Sequence, residues 1–575
     1  MKSEKIKKAA YNFIYPAALL ILPLLTVNQG VDVSDSTYSL GNYLFADRLD
    51  GMWVISTYLS NVFGSVLIKL PGAKTLLGAN IYTGLVLAAV ALCAYFFLKN
   101  EFDPGYVFLG ESIAVCLCWI PTGILYYYAS YLFMTLGALL LYKGVTLKKG
   151  RLLFFAGLVL GMNVFVRIPN LTQMALILVL WAEALYTGES FKNTAKRTGI
   201  CISGYAVGVL IPFVAIVIRY GVGSIGDMIS GLAGITSTDE TYTPAAMIMG
   251  TVAAYIRSSK WVLVILAVIA GGIILFRICD GRFYVLKTVI YAAVLGLMIR
   301  FFWGRGMFSF RYYEDYSSMY EWGMLALYLS IFVDIYTLIA AGMRKEDYSG
   351  SQAALAVMSL VIIAIAPLGS NNYTYQNLNN MFVVMPITII LSVRFIERLA
   401  KAGRRYVTVP MALMLLTVVV FLMLQSFGFN LKFVFRDGMR GEARDTEITG
   451  VSTLRGMYTN KEHAQNLMKL WDVIEADNPD SLILYGDCPG LTYILGRPSA
   501  LFTSWADLDS NPVEMVKEDL DKAAVNGRNI SVIIRKTEPT SVNFEKKLEL
   551  IMDFITANDY SPVYENAEYT VYRKE

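Results

Sequence analysis

The 575-residue sequence is poor in charge, in histidine and in cysteine. Only 16% of its residues are Asp, Glu, Lys or Arg, whereas soluble domains have about 25%. Hydrophobic residues make up 56% of the chain, and the mean hydropathy is +0.51. This composition excludes an ordinary soluble protein and predicts a polytopic α-helical membrane protein.

The shortage of histidine and cysteine argues against a structural metal site. His463 is the single histidine, and the six cysteines are spread along the chain. All but Cys488 lie in or at the ends of apolar runs, so they predict no disulfide framework. A zinc site draws most of its ligands from these two residue types. We therefore predict no metal site and no cofactor.

Charge is distributed unevenly along the chain. Residues 430–575 contain 24 acidic and 17 basic residues, and the remainder contains 21 acidic and 32 basic residues. The basic excess therefore belongs to the membrane part, where positive loops set orientation. No basic patch interleaved with aromatic residues occurs in the acidic part, which argues against a nucleic-acid partner. We predict two domains, a transmembrane domain over 1–429 and a soluble domain over 430–575.

Apolar runs predict about 13 transmembrane helices, since a span needs about 20 apolar residues. The runs lie near 9–27, 76–98, 106–120, 122–142, 152–168, 170–187, 199–219, 261–277, 284–302, 320–341, 352–367, 380–397 and 407–427. Placing the amino terminus in the cytoplasm puts the loops richest in Lys and Arg inside, as the positive-inside rule requires. An odd number of spans then puts residues 430–575 on the extracytoplasmic side of the cell membrane.

The acidic carboxyl-terminal part alternates helical and strand patterns. "NKEHAQNLMKLWDVIEAD", "NPVEMVKEDLDKAAVNG" and "SVNFEKKLELIMDFITAND" have helical spacing, and "SLILYGD" and "NISVIIRK" are short strand-like runs. "PVYENAEYTVYRK" alternates like a hairpin. The alternation predicts a small α/β domain with a mostly parallel sheet. "YGDCPG" follows a strand but lacks the spacing of a phosphate loop, so we interpret it as a turn.

The first outer loop, residues 28–75, is too polar and too long for a simple linker. It opens with "GVDVSDSTY", which places Asp32 and Asp35 directly after the first apolar run. It continues with "LDGMWVISTYLSNVFGSVLIKL", whose amphipathic spacing predicts a helix lying along the membrane surface. Such a loop forms the roof of a cavity and carries acids beneath it.

This layout resembles the membrane-embedded GT-C glycosyltransferases, in particular the protein O-mannosyltransferase and aminoarabinose transferase group. "SDSTY" is similar to that group's D-E-x-x-Y/F motif, with Asp35 at the glutamate position and Tyr38 at the aromatic position. Ser34 stands where the motif has aspartate, so Asp32 is the alternative acid. "AGLVLGMNVFVRIPN" resembles the group's glycine-rich span that ends in an arginine, here Arg167.

The resemblance implies sugar transfer from a polyprenyl-phosphate-linked donor to a hydroxyl of an extracytoplasmic glycan, lipid or protein. Asp35, or else Asp32, is then the general base. Arginines on the outer side suit the leaving phosphate, with a divalent cation at the two acids a less favoured variant. The phosphate ligands are predicted among Arg305, Arg311 and Arg167. Sugar and acceptor contacts are predicted at Tyr38, Asn42, Tyr312, Asn371 and Tyr373.

The alternative is a flippase or polymerase of lipid-linked polysaccharide without GT-C chemistry. A flippase is expected to place charged residues inside the helix bundle and to show inverted halves. Intramembrane acids are scarce here, the main ones being Glu111, Glu183 and Asp334. The early acids and the folded outer domain favour the transferase.

Overall fold

The protein is described by a computed structural model that covers most of the chain. The described residues are 2–49, 51–118, 123–238, 243–278, 281–308, 317–343, 350–434, 436–437, 443–526 and 528–574.

The amino-terminal three quarters of the described chain are almost entirely helical. The first outer loop and the helices before it contain α1 Lys2–Ala9, α2 Tyr15–Ile21, α3 Asp35–Leu44, α4 Gly51–Ser56 and α5 Tyr58–Leu67. The next helices are α6 Leu76–Leu98, α7 Pro104–Leu117, α8 Leu125–Thr146, α9 Gly150–Asn163, α10 Leu178–Thr187, α11 Phe191–Tyr220 and α12 Gly223–Thr238. The bundle ends with α13 Pro244–Arg277, α14 Tyr284–Gly304, α15 Ser317–Met343, α16 Gly350–Ile365, α17 Tyr375–Leu378, α18 Val384–Lys401 and α19 Arg405–Lys432.

Within the described residues, eight helices are long and apolar enough to cross a membrane. They match eight of the thirteen predicted runs, and α10 is extended at its start by the 3₁₀ turn Ile168–Ile177. The predicted runs at 106–120, 152–168 and 352–367 form the shorter helices α7, α9 and α16. The run at 380–397 forms α18, which has four charged residues towards its end. The prediction of a polytopic helical membrane protein is therefore confirmed.

The first predicted span is helical but irregular. A π-helical turn, Ala10–Ile14, separates α1 from α2, and a 3₁₀ turn, Leu22–Leu24, follows α2. The surface helix predicted in the first outer loop forms as two pieces, α4 and α5, because the backbone leaves the helical region at Thr57 (φ −129°, ψ 38°).

The carboxyl-terminal part contains the predicted helices and strands. Its helices are α20 Lys461–Asp477, α21 Leu491–Leu495, α22 Val513–Val525 and α23 Phe544–Ala557. Its strands are β1 Thr446–Glu447, β2 Tyr458–Thr459, β3 Ser481–Tyr485, β4 Ile530–Arg535, β5 Tyr560–Glu565 and β6 Tyr569–Lys574. β1 and β2 pair antiparallel, and the other four form one sheet in the order β3-β4-β6-β5.

The prediction of a mostly parallel sheet is wrong. Only β3 and β4 are parallel, while β4–β6 and β5–β6 are antiparallel. The connection from β5 to β6 is too short for a crossover helix, so these strands can pair only as a hairpin.

The first outer loop and the carboxyl-terminal part share one hydrophobic core. Val31, Val33 and Leu40 are buried in the same cluster as Leu482 and Ile494. The helices α3 and α21 also pack with backbones in close contact. A Cβ atom on Gly41 would lie 2.4 Å from the Thr492 hydroxyl, and one on Gly490 would lie 1.7 Å from the Thr37 hydroxyl. The first outer loop and the carboxyl-terminal part (residues 430–575, called the tail below) therefore form one folded unit around Asp35.

Candidate active site

Asp32 caps the helix that begins at Asp35. One Asp32 oxygen accepts hydrogen bonds from the Ser34 amide (2.8 Å) and hydroxyl (2.5 Å). The other accepts from the Ser36 amide (2.9 Å) and hydroxyl (3.0 Å). These contacts satisfy amides at the helix start, as an amino-terminal cap does. Asp32 is only 4% exposed, so its geometry suits positioning of α3 better than contact with a substrate.

We expect Asp32→Ala to destabilise the protein rather than act only on chemistry. Removal of the cap leaves two amides and two hydroxyls without their acceptor, at a cost of about 1–2 kcal/mol. The melting temperature of the purified protein measures this cost. Asp47→Ala is the matched control in the same loop, because the Asp47 side chain is 87% exposed in its ion pair with Arg219. Equal melting temperatures for the two variants would contradict the capping role.

Asp35 meets a cation and a second acid from the carboxyl-terminal part. Nη1 of Arg436 lies 3.7 Å from one Asp35 oxygen and 3.0 Å from both oxygens of Asp487. Asp487 follows β3 and is held by its amide, which donates to Asp507 at 2.9 Å. Arg535 donates to the Asp487 carbonyl at 3.2 Å. Arg436 therefore bridges the carboxylates of Asp35 and Asp487, which are remote in sequence.

The environment makes Asp35 a much stronger base than a free carboxylate. Partial burial raises the pKa of Asp35 to about 7, the Asp32 carboxylate adds to the rise, and Arg436 opposes it. Burial likewise raises the pKa of Asp487 to about 6, again opposed by Arg436. The Asp35 side chain is 28% exposed, so a substrate can reach it. A carboxylate with a pKa near 7 suits proton abstraction at neutral pH.

Tyr38 and Asn42 lie on α3, one and two turns after Asp35. The Tyr38 ring makes an edge contact with Trp505, with ring centroids 5.2 Å apart. Its hydroxyl interacts with the side chains of Asn42 and Thr503. The predicted substrate residues Tyr38 and Asn42 therefore adjoin Asp35, and the tail supplies an aromatic wall beside them.

Arg167 lies directly before the 3₁₀ segment Ile168–Ile177 and contacts the start of α8. Its guanidinium lies over the Tyr127 ring at 5.0 Å and donates to the Gly369 carbonyl at 3.0 Å. Tyr126, whose ring centroid is 4.4 Å from that of Tyr127, interacts electrostatically with both Arg167 and Asp35. Tyr126 is thus within electrostatic range of both the predicted base and one predicted phosphate ligand.

The predicted contacts Asn371 and Tyr373 lie in the loop that Arg167 binds. Gln376, in the short helix α17 that follows this loop, donates to the Tyr127 hydroxyl at 3.2 Å. The Tyr373 ring packs against Gly250, where a Cβ atom would lie 2.3 Å from it. Asn371 is half-buried. The structure therefore brings this loop, Arg167 and Tyr127 together.

Of the remaining predicted residues, only Arg305 lies within the described part of the chain, and it lies elsewhere. Arg305 caps the end of α14, is exposed, and lies over the Phe301 ring at 5.2 Å. No contact among the described residues joins Arg305 to Asp35 or to the Asn371 loop. Arg311 and Tyr312 lie outside the described residues.

In the part of the chain that the structure describes, no group of three or more His, Cys, Asp or Glu residues is arranged to hold a metal ion.

A cavity of about 100 Å³ lies beneath the first outer loop, and its lining includes Asp32, Ser36, Asn80, Cys118, Tyr128 and Asn430. This polar cavity is of a size to hold ordered water.

Sequence reasoning missed every tail residue of the site. Arg436, Asp487 and Trp505 approach Asp35 and Tyr38 only through contacts across more than 400 residues of chain, as for Arg436 and Ser34, which are 402 positions apart. Asp487 is the acid of "YGDCPG", which we interpreted as a turn. Its position directly after a buried strand was the one local signal, since functional loops often follow strand ends.

Neither a family model nor a curated protein sequence matches this chain. The fold is similar to solved structures of membrane glycosyltransferases. An oligosaccharyltransferase of Archaeoglobus fulgidus, in complex with zinc and sulfate, aligns over 98% of this chain and 72% of its own, with 12% identity and a TM-score of 0.45. ArnT from Cupriavidus metallidurans, bound to undecaprenyl phosphate, aligns over 98% of both chains, with 12% identity and a TM-score of 0.43. Similarity of this size does not determine the reaction, which we argue from the site.

Proposed function

We propose that the protein transfers a sugar from a polyprenyl-phosphate-linked donor to a hydroxyl acceptor on the extracytoplasmic face of the cell membrane. Asp35 acts as the general base, and Arg167 binds the donor phosphate. The observation that carries the proposal is the accessible Asp35 carboxylate, whose pKa is raised to about 7 and whose helix neighbour Tyr38 contacts Trp505. The sequence resemblance to GT-C glycosyltransferases points to the same chemistry.

The reaction requires a base and a cation at separate points. Asp35 takes the proton of the acceptor hydroxyl as the oxygen attacks the anomeric carbon, and the polyprenyl phosphate leaves with the electron pair of the broken bond. Arginine suits the phosphate because its guanidinium stays charged and donates two parallel hydrogen bonds. Tyr38, Asn42 and Trp505 offer ring faces and polar groups to a sugar or acceptor, and Asn371 and Tyr373 offer them beside Arg167.

Release of polyprenyl phosphate by the purified protein tests this proposal. The substrates are undecaprenyl-phosphate-linked hexoses and undecaprenyl-phosphate aminoarabinose, with acceptor glycans, lipids and peptides supplied as mixtures. Activity in detergent that persists with a chelator supports a transferase without a required metal. If no donor in the panel releases polyprenyl phosphate, the proposed transfer from these donors is excluded.

A flippase is the second candidate, because Glu111 and Asp334 are completely buried in the helix bundle. Charged or protonatable groups within a bundle mark transport pathways in many membrane proteins. The detergent assay separates the two functions, since a flippase forms no new product when no bilayer is present. Glu111→Gln and Asp334→Asn should leave transfer in detergent intact if the protein is a transferase.

We expect transfer to require a group that ionises near pH 7. Asp35 must be deprotonated to act as a base, so kcat/KM should fall about tenfold per pH unit below its pKa of about 7 and level off above it. Arg436→Gln removes the cation that lowers the Asp35 pKa. The acidic limb of the kcat/KM profile of this variant should therefore shift to higher pH. A pH profile that is flat from pH 5 to 8 in the wild type would contradict Asp35 as the base.

The proposal places Asp35 and the tail on the same, extracytoplasmic side of the cell membrane. Single cysteines introduced near Asp35 and near Asn529 in a variant without native cysteines should both react with an impermeant thiol reagent in intact cells. A cysteine in the Lys148–Arg151 loop is the control and should react only after permeabilisation. Labelling at only one of the two outer positions would contradict this topology.

A further inference from the structure

The segment that leads into Asp35 is bound by the tail along its backbone. We call residues 28–33 the entry segment. Its carbonyl at Asn28 accepts from the Tyr458 amide at 2.9 Å, and its amide at Gly30 donates to the Tyr458 carbonyl at 2.7 Å. At its far end the Gly490 amide donates to the Val33 carbonyl at 2.8 Å. The entry segment therefore pairs with β2 like an added strand.

Two tail side chains hold the centre of the entry segment. The Val31 amide donates to Asp437 at 2.8 Å, and the Val31 carbonyl lies 3.1 Å from Nε2 of His463. Asp437 is itself held by Arg444 at 2.7 Å. Val31 is completely buried, so water cannot replace these partners. Both polar groups of the residue before Asp32 thus depend on the tail.

The partners of His463 require both of its ring nitrogens to donate. Nε2 faces a backbone carbonyl, which only accepts, and Nδ1 lies 2.9 Å from both oxygens of Glu568, which only accept when ionised. Neutral histidine has one donor, so only the imidazolium satisfies both contacts. Burial lowers the pKa of His463, but the contact with Glu568 outweighs burial, so the pKa of His463 is raised above that of a free histidine. His463 in turn lowers the pKa of Glu568.

The charged groups around the imidazole are few. Glu568, at the β5–β6 turn, and Asp437, in the segment before β1, stabilise its charge, whereas Arg535 at the end of β4 opposes it. From its own helix, Asn466 donates to Glu568 at 3.1 Å without contacting the entry segment. Because Arg444 pairs with Asp437, the charges nearby balance, and the direct contact of Glu568 with Nδ1 is what favours the protonated ring.

We propose that protonated His463 is a positioning residue that, together with Asp437, holds the entry segment and thereby the Asp32 cap and Asp35 in place. This inference rests on the proposed function for its catalytic consequence. Loss of the proton removes one of the two donors, so the Val31 carbonyl or Glu568 loses its partner in a buried site. The entry segment then opens more often, and Asp35 is less often aligned for proton transfer.

The single histidine allows a direct test in the full-length protein in nanodiscs. With ¹⁵N-labelled histidine, the ring signals report one residue, and we expect the imidazolium at pH 7. Hydrogen exchange of residues 28–36 should then be protected at pH 7 and lose about tenfold in protection factor in His463→Ala, the size expected for one lost hydrogen bond. A neutral ring at pH 7, or unchanged protection in His463→Ala, would overturn the proposal.

Matched variants separate a positioning role from general destabilisation. Asn466→Ala disturbs Glu568 but leaves the Val31 contact, so its entry segment should stay protected. His463→Gln combined with Glu568→Gln retains donors and acceptors without a titrating group. Protection in this double variant should not change from pH 6 to 9, whereas wild-type protection should fall as the ring deprotonates. Pronounced loss of protection in Asn466→Ala would count against the proposal.

The same measurements distinguish this inference from the proposed function. If no donor of the panel is turned over but the His463 ring is protonated and protection behaves as expected, the transferase function is excluded and the positioning role of His463 stands. If transfer depends on Asp35 but protection of the entry segment does not change in His463→Ala, the positioning role is excluded and the transferase function stands.

Discussion

Replacing Asp35 with asparagine should abolish sugar transfer while leaving the protein folded and able to bind its donor. Asparagine keeps the shape of the side chain and removes its basicity. Proton transfer by a positioned base contributes about 10²- to 10⁴-fold to rate, so kcat should fall by at least two orders of magnitude. Release of polyprenyl phosphate measures this loss, and binding of undecaprenyl phosphate checks the donor site.

Asp487→Asn is the matched control, because Asp487 shares Arg436 with Asp35 but lies on the tail. Its removal should change the position of the acidic limb without removing the base. Transfer at a normal rate by the Asp35→Asn protein would reject Asp35 as the base. A greater loss in Asp487→Asn than in Asp35→Asn would transfer the role to the tail acid.

Arg167→Ala should give the second large effect, through the leaving phosphate. Arg167 is half-buried, so its loss should cost about 2 kcal/mol, the lower end of the range for buried charge pairs, which corresponds to roughly a 30-fold loss. Arg167→Lys should recover only part of this loss, because lysine lacks the planar fork that lies over Tyr127. Separate kcat and KM values show whether the arginine acts in the ground state or in the transition state.

Arg305→Ala is the control for Arg167, because both residues were predicted as phosphate ligands from the sequence. Arg305 is exposed at the end of α14, so its removal should change transfer little, as for other exposed charges. A larger loss in Arg305→Ala than in Arg167→Ala would move the donor phosphate to the region of Arg305 and Arg311.

The sequence predicts the elements of this fold better than the assembly of its site. Apolar runs mark the membrane helices because burial in lipid or in a bundle requires them. Periodicity marks α20, α22 and α23 for the same physical reason. The parallel sheet was predicted wrongly because alternation of helices and strands does not fix the pairing of a terminal hairpin.

The candidate site was predictable only where it is local. Asp35, Tyr38 and Asn42 share a helix face at spacings of three and four residues, so their proximity follows from helix geometry. The capping role of Asp32 also had a local signal, because Asp and Ser directly before a helix satisfy its first amides. Arg436 and Trp505 have no such signal, since their approach to Asp35 depends on how a distant domain docks.

The shared core of the first outer loop and the tail also has a consequence for biosynthesis. Arg436 leaves the ribosome 402 residues after Ser34, which at about 5–20 residues per second is a delay of roughly 20–80 s. During this time Val31, Val33 and Leu40 lack the tail residues that cover them in the finished protein. The nascent chain therefore exposes an apolar loop while it inserts its remaining helices, and a chain interrupted before β6 leaves that loop without its complete partner. We expect the interval between insertion of the first helix and synthesis of the last strand to be the period in which this protein most needs a chaperone on the side of the membrane that holds the loop.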